Sequence, residues 1–329
     1  MITTLQTRRI TATLTLIVAG FISVAAGIAT ASDSAPKPVA AVRPALVPGA
    51  YFGQKPPVET PELFAPGIIN LPGRSVGHIA FSPDATECFF SVFEGFYVNK
   101  GMLTTRYENG AWTPRVRVAW TPKQLGFEPL FSRDGRQLYF GVMASTGESA
   151  NTDFWVAQRT TQGWSEPQPL PSPLNSPQNE FCLAQTADGT MYFASKREGG
   201  HGGLDLYRTV AKPGQPLAVE NLGIPVNSEF NDGDPGISPD GHTLVFYSVP
   251  NRPGVTGGSD LFICFDNGRG GWTTPVNMGP GFNTPSGDEY AATFSHDGQV
   301  FFFARFDGKK GEVYWVSTAA LERFRASSH

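Results

Sequence analysis

Ile237-Ser238-Pro239-Asp240-Gly241, with Leu244-Val245-Phe246 close behind it, decides the fold. An Asp-Gly step between two apolar runs signals a hairpin, because Gly takes the positive φ of the tight turn and the runs pair across it. The phrase recurs as Phe81-Ser82-Pro83-Asp84, Phe131-Ser132-Arg133-Asp134-Gly135, Thr186-Ala187-Asp188-Gly189 and Phe294-Ser295-His296-Asp297-Gly298. Its aspartates stand at 84, 134, 188, 240 and 297, so the spacings are 50, 54, 52 and 57 residues. An apolar strand follows each one: Cys88-Phe89-Phe90, Leu138-Tyr139-Phe140, Met191-Tyr192-Phe193, Leu244-Val245-Phe246 and Phe301-Phe302-Phe303.

Working outward, a third strand follows a loop in each repeat: Asp153-Phe154-Trp155, Asp205-Leu206-Tyr207, Asp260-Leu261-Phe262 and Glu312-Val313-Tyr314, with Gly101-Met102-Leu103 in that slot of the first. A fourth element is marked by Trp112-Thr113-Pro114, Trp164-Ser165-Glu166-Pro167 and Trp272-Thr273-Thr274-Pro275, and by Gln215-Pro216-Leu217 in repeat three. Repeats of this length with four short strands each are blades of a β-propeller. The fifth repeat stops after its third strand, and Pro61-Glu62-Leu63-Phe64-Ala65-Pro66 resembles the missing fourth. The expectation is therefore all-β: a five-bladed propeller over residues 61–322, closed into a ring by an N-terminal strand that completes the last blade. Closure removes the sheet edges that invite aggregation. A short helical tail is expected over residues 319–325, within a terminal stretch ending at 329.

Composition agrees. Of 329 residues, 37 are Gly and 28 Pro, which long helices do not tolerate in their interiors. Aromatics at 12 % supply enough apolar area for a core, so disorder is excluded. A formal charge of −4 leaves no electrostatic footprint for nucleic acid.

Arg8 and Arg9 precede an apolar stretch from Ile10 to Ala29, and Ala29-Thr30-Ala31 offers a small-x-small cleavage site. Residues 1–31 thus read as a signal peptide cleaved after Ala31, with a periplasmic or secreted product that keeps no membrane span. Those residues carry two positive charges and no acid, so the mature chain moves from −4 to −6. Residues 32–60, rich in Pro and Ala without periodicity, read as an extended linker. Cys88, Cys182 and Cys264 are odd in number, so at least one thiol is free, and they lack metal-ligand spacing. Cys88 and Cys264 fill repeat slots held elsewhere by Leu, Ala, Thr or Val and read as small buried hydrophobes.

Phe-Ser-Pro-Asp-Gly, then Gly202-Gly203-Leu204-Asp205-Leu206-Tyr207 or Gly257-Gly258-Ser259-Asp260-Leu261-Phe262, then Gly-x-Trp-x-x-Pro and Asn-Ser, resemble the WD40-like repeat of TolB-type propellers. The likeness spans residues 61 to about 321. It implies a periplasmic propeller that binds a partner, without the extra N-terminal α/β domain of TolB.

The repeated hairpin aspartates read as turn-formers, since one active site does not need a copy per blade. The repeats differ on the loops entering the innermost strands. There stand His78, Glu128, Glu180, Asp232 with Asp234, and Asp288 with Glu289, all converging on one rim of the channel. Three uses compete: loop capping and pairing with Lys or Arg; a calcium or other hard-cation site on Asp232, Asp234 and Glu289; or paired carboxylates for glycoside cleavage among Glu128, Asp234 and Glu289, assisted by His78 or Arg197. Arg197, Arg252 and Arg305 follow the second strands and suit anionic ligands or loop carbonyls. No Gly-x-Ser-x-Gly elbow is present. The leading expectation is a monomeric binding module for an envelope protein or glycan, with no required cofactor. The alternative is a glycoside hydrolase or polysaccharide lyase.

Overall fold

The computed structural model describes residue 46 and residues 48–94, 98–118, 120, 126–143 and 151–327. The expected signal peptide, and the linker up to residue 45, lie outside the described residues. Five small antiparallel sheets form five blades arranged as a ring. The innermost strands are Ser75–Phe81, Gly126–Phe131, Glu180–Gln185, Asp232–Ile237 and Asp288–Phe294, and each touches the innermost strand of the next blade. No helix among the described residues is long and apolar enough to cross a membrane.

Hairpin chemistry repeats five times. Asp84, Asp134, Asp188, Asp240 and Asp297 each accept a hydrogen bond from the Ser or Thr two positions earlier and one from the backbone amide two positions later. These are Asx-turn bonds, so the aspartates are turn-formers as expected. The Trp-x-x-Pro phrase marks the turn before the outer strand. Trp112 and Trp164 end short hairpins on the third strand, and the outermost strands Val116–Arg117, Gln168–Pro169 and Val276–Asn277 come after the proline.

Ring closure follows the expectation. Glu62 and Leu63 pair antiparallel with Trp315 and Tyr314 of the last blade. Phe64 beyond them is fully buried, with its ring 4.7 Å from Trp315 and 5.1 Å from Phe302. Residues 48–60 differ from the extended linker expected there. Tyr51 is buried edge-on against Phe81, the Trp112 indole donates to the Gly49 carbonyl, and the Ser317 amide donates to Pro57. The aromatic pair Tyr51-Phe52 explains the difference, because it finds the unfilled apolar seam between the first and last blades. The described residues end in a 3-10 helix, Thr318–Ser327.

The core is divided among the blade interfaces. An apolar cluster lies at each junction, with Phe90, Phe131, Phe193, Phe246 and Phe301 fully buried in successive ones, and the junction of the first and last blades holds a second around Phe93 and Tyr290. Cys88 and Cys264 sit in two of these clusters as the small hydrophobes expected.

Candidate functional site

Every innermost strand carries a β-bulge, with the register shift falling between Val76 and Ile79, Phe127 and Leu130, Phe181 and Ala184, Gly233 and Gly236, and Tyr290 and Thr293. A bulge re-aims one side chain out of the pleat. In four blades the bulged residue takes positive φ without being glycine: Glu128 at 57°, Cys182 at 54°, Asp234 at 48° and Ala291 at 60°. Non-glycine residues adopt this conformation at a cost of about 1 kcal/mol or more, and persist there only where the surroundings impose it.

The bulges bring four polar side chains together inside the channel. Cys182 Sγ lies 3.1 Å from His78 Nε2 and donates to Asp234 Oδ1 at 2.8 Å, while His78 Nε2 is 3.2 Å from Asp234 Oδ2. One ligand atom each from His78, Glu128 and Cys182 fall within 4.8 Å of one another. All four residues are buried. Backbone amides fix the carboxylates: Cys182 N donates to Glu128 Oε2 at 2.8 Å, and Ala291 N to Asp234 Oδ2 at 3.0 Å. Burial, reinforced by Asp234 and Glu128, pushes the Cys182 thiol well above its ordinary range. A metal-free thiolate nucleophile is therefore disfavoured here. Burial alone would raise Asp234, but His78 and the bonds from His78, Cys182 and the Ala291 amide outweigh it and hold the carboxyl low.

Above this cluster opens a funnel of about 350 Å³, lined by Phe127, Phe181, Tyr247 and Tyr290 with Lys196, Asn231, Ser259 and Asp288. Glu128 and Asp234 form part of its floor. Tyr247 packs closely on the inner strand because position 233 is glycine: a Cβ there would stand 2.6 Å from the ring. On the other side of the cluster the channel narrows to about 40 Å³, reaching Arg133 and His296.

The remaining rim residues do something else. Glu180, Asp232 and Glu289 are fully buried, two positions before Cys182, Asp234 and Ala291. Each meets an arginine of its own blade, at the end of the second strand or in the loop after it: Arg197 at 3.4 Å, Arg252 at 2.6 Å and Arg305 at 2.7 Å. Each arginine also bonds loop carbonyls and lies over two aromatic rings, as Arg252 does over Phe246 and Phe262. Ser176, Ser228 and Thr284 donate to the same three carboxylates. The asparagine before each of them, Asn175, Asn227 and Asn283, bonds both backbone groups of a third-strand residue. This Asn-Ser/Thr, carboxylate and arginine unit ties each third strand to the entry of the next blade.

One grouping from the sequence is corrected by this geometry. Asp232, Asp234 and Glu289 do not form one oxygen cluster for calcium, since Asp232 and Glu289 are neutralised by arginines in separate blades. Glu289 is held within its own blade by Arg305 and Thr284. Arg197 and Arg252 are committed to these staples rather than to the channel. Asp288 lines the funnel, and His78, Glu128 and Asp234 meet below it. Cys182 was missed as a channel residue. The signal for it is an offset: His78, Glu128, Cys182, Asp234 and Ala291 each stand six residues before a hairpin aspartate.

No family model matches the chain, and no curated protein matches it. Solved structures with a similar fold include TolB from Acinetobacter baumannii, at 17 % identity and a TM-score of 0.44, covering 74 % of this chain and 54 % of that one. The chain thus spans about half the length of that TolB. A putative TolB from Agrobacterium tumefaciens follows at 14 % identity and a TM-score of 0.43, covering 73 % of each chain. A thermostable family-43 glycoside hydrolase is 9 % identical with a TM-score of 0.48, over 74 % of this chain and 89 % of that one. These are likenesses of fold alone.

Proposed function

We propose that this chain is an exported, TolB-like propeller that binds a glycan of the cell envelope in the funnel at the channel mouth. The observation that carries the reading is the lining of that funnel. Four aromatic side chains, Phe127, Phe181, Tyr247 and Tyr290, share one concave wall with an amide, a carboxylate, a hydroxyl and an ammonium group. Apolar sugar faces stack on aromatic rings, while sugar hydroxyls need convergent donors and acceptors. The arginine staples support the same reading, because they hold the strand entries that build the wall.

The test is calorimetric titration of the purified mature chain with neutral and acidic oligosaccharides. Saturable binding is expected, weakened about tenfold by Phe181→Ala, the value of one aromatic stacking contact. Lys196→Ala, on the exposed rim, should weaken acidic sugars more than neutral ones. A folded protein silent across the panel overturns the glycan reading and leaves an envelope protein as partner. Released product, abolished by Glu128→Gln, overturns it in favour of a carbohydrate-active enzyme.

A further inference from the structure

Three of the four channel residues are of different chemical kinds, and they come from three different blades. His78 belongs to the first, Glu128 to the second and Cys182 to the third, with Asp234 of the fourth beside them. Imidazole nitrogen, sulfur and carboxylate oxygen at one point form the donor set of a borderline divalent cation. Spacing agrees with that. An ion bound at about 2.1 Å from nitrogen and 2.3 Å from sulfur in tetrahedral geometry holds those two atoms about 3.6 Å apart, so a further separation of a few tenths of an ångström is all that binding requires. Cys182 Sγ and His78 Nε2 already stand 3.1 Å apart.

The surroundings point the same way. The neighbouring buried carboxylates Glu180, Asp232 and Glu289 each face an arginine, whereas Asp234 faces an imidazole and a thiol. Outer bonds from the Cys182 and Ala291 amides orient the two carboxylates, as the supporting groups of a metal site do. Three of the residues sit at bulges that re-aim them into the channel at a conformational cost.

We propose that His78, Cys182 and Glu128 bind one divalent first-row transition ion, of the zinc type, inside the channel. Asp234 contacts both His78 and Cys182 and adds negative charge beside the ion. Three protein ligands leave a coordination position, and because Glu128 and Asp234 also line the funnel, that position is reachable by a donor entering from there. The inference does not depend on what the funnel binds. Hard cations fit poorly, since calcium prefers six to eight oxygens and this point offers sulfur and nitrogen.

The test uses the full mature chain, stripped with chelator and dialysed against zinc, cobalt or calcium. One zinc per chain by elemental analysis is expected, with calcium unable to displace it. Cobalt should give a thiolate-to-metal charge-transfer band in the near ultraviolet. Cys182→Ser should abolish the band and weaken zinc binding by at least about tenfold, whereas Cys264→Ser, in an interblade core, should leave both unchanged. Glu128→Gln serves as the second variant, with weakened binding and a retained band. No stoichiometric uptake by folded protein, or a cobalt complex that keeps its band in Cys182→Ser, overturns the proposal. Glycan titration has no bearing on either outcome.

Discussion

The amide of Cys182 donates to Oε2 of Glu128 at 2.8 Å, although the two belong to adjacent blades and stand 54 residues apart in sequence. Both occupy the bulge of an innermost strand. The pattern repeats one step back, where Glu128 N donates to Ser91 Oγ at 2.9 Å, and again where Ala291 N donates to Asp234 Oδ2. A bulge leaves its own amide without a ladder partner, and here the side chain of the preceding blade supplies one. Two of the channel groups, Glu128 and Asp234, thus also satisfy bulge amides.

A stability comparison follows from that double duty. Glu128→Gln keeps an acceptor oxygen for the Cys182 amide and should melt close to the parent. Glu128→Ala leaves a buried N–H unsatisfied and should lose about 1–3 kcal/mol. Urea melts of the two variants measure the difference. Equal stability would mean that the amide finds water or another acceptor, and that the inter-blade bond contributes little.

The arginine staples give a second contrast. Asp232 is fully buried, and the Arg252 side chain beside it is only 10 % exposed. Removing the arginine strands a carboxylate in the interior, a loss of about 3–5 kcal/mol. Arg136, paired at 4.0 Å with Asp134 on the surface, should contribute less than about 1 kcal/mol. Arg252→Ala and Arg136→Ala, measured by denaturant midpoint, should therefore differ several-fold. Similar losses would show that the staple is replaceable by loop water.

Some of this was legible in the sequence and some was not, for physical reasons. The hairpins were legible because Asp240 and Gly241 determine their turn with residues only two positions away. Closure by residues 62–63 followed from counting strands, since an unpaired last blade would expose an edge. The pairing of Arg252 with Asp232 needs the register of two strands, Asp232 opposite Ser248, and composition alone leaves that arginine equally suited to a ligand. Cys182 was obscured by its type: thiols are common core residues, as Cys88 and Cys264 are here. Only its constant offset from the hairpin aspartate, shared with His78, Glu128 and Asp234, distinguishes it.

Acid should act on the opposite end of the channel through His296. Burial, and secondarily the Arg133 guanidinium, push its pKa down to about 3, against an ordinary value of 6.5. Its Nδ1 is buried without a hydrogen-bond partner among the described residues. The sign follows from linkage. Between those two values the unfolded chain takes up a proton that the folded one refuses, so stability is complete above about pH 6.5 and declines as pH falls toward 3. The slope approaches about 1.4 kcal/mol per pH unit for one proton. Asp84, Asp134, Asp188 and Asp240, held low in their turns, add their own loss only as pH drops below the ordinary carboxylate range. Glu180 and Glu289, raised by burial, act in the opposite direction just above that range. Comparing the parent with His296→Gln cancels these carboxylate contributions. The variant should lose stability more slowly between pH 6.5 and 4.5, with the parent steeper by up to one proton. Parallel curves in that window would mean that the folded ring accepts its proton at the ordinary pH, through water reaching it along the channel.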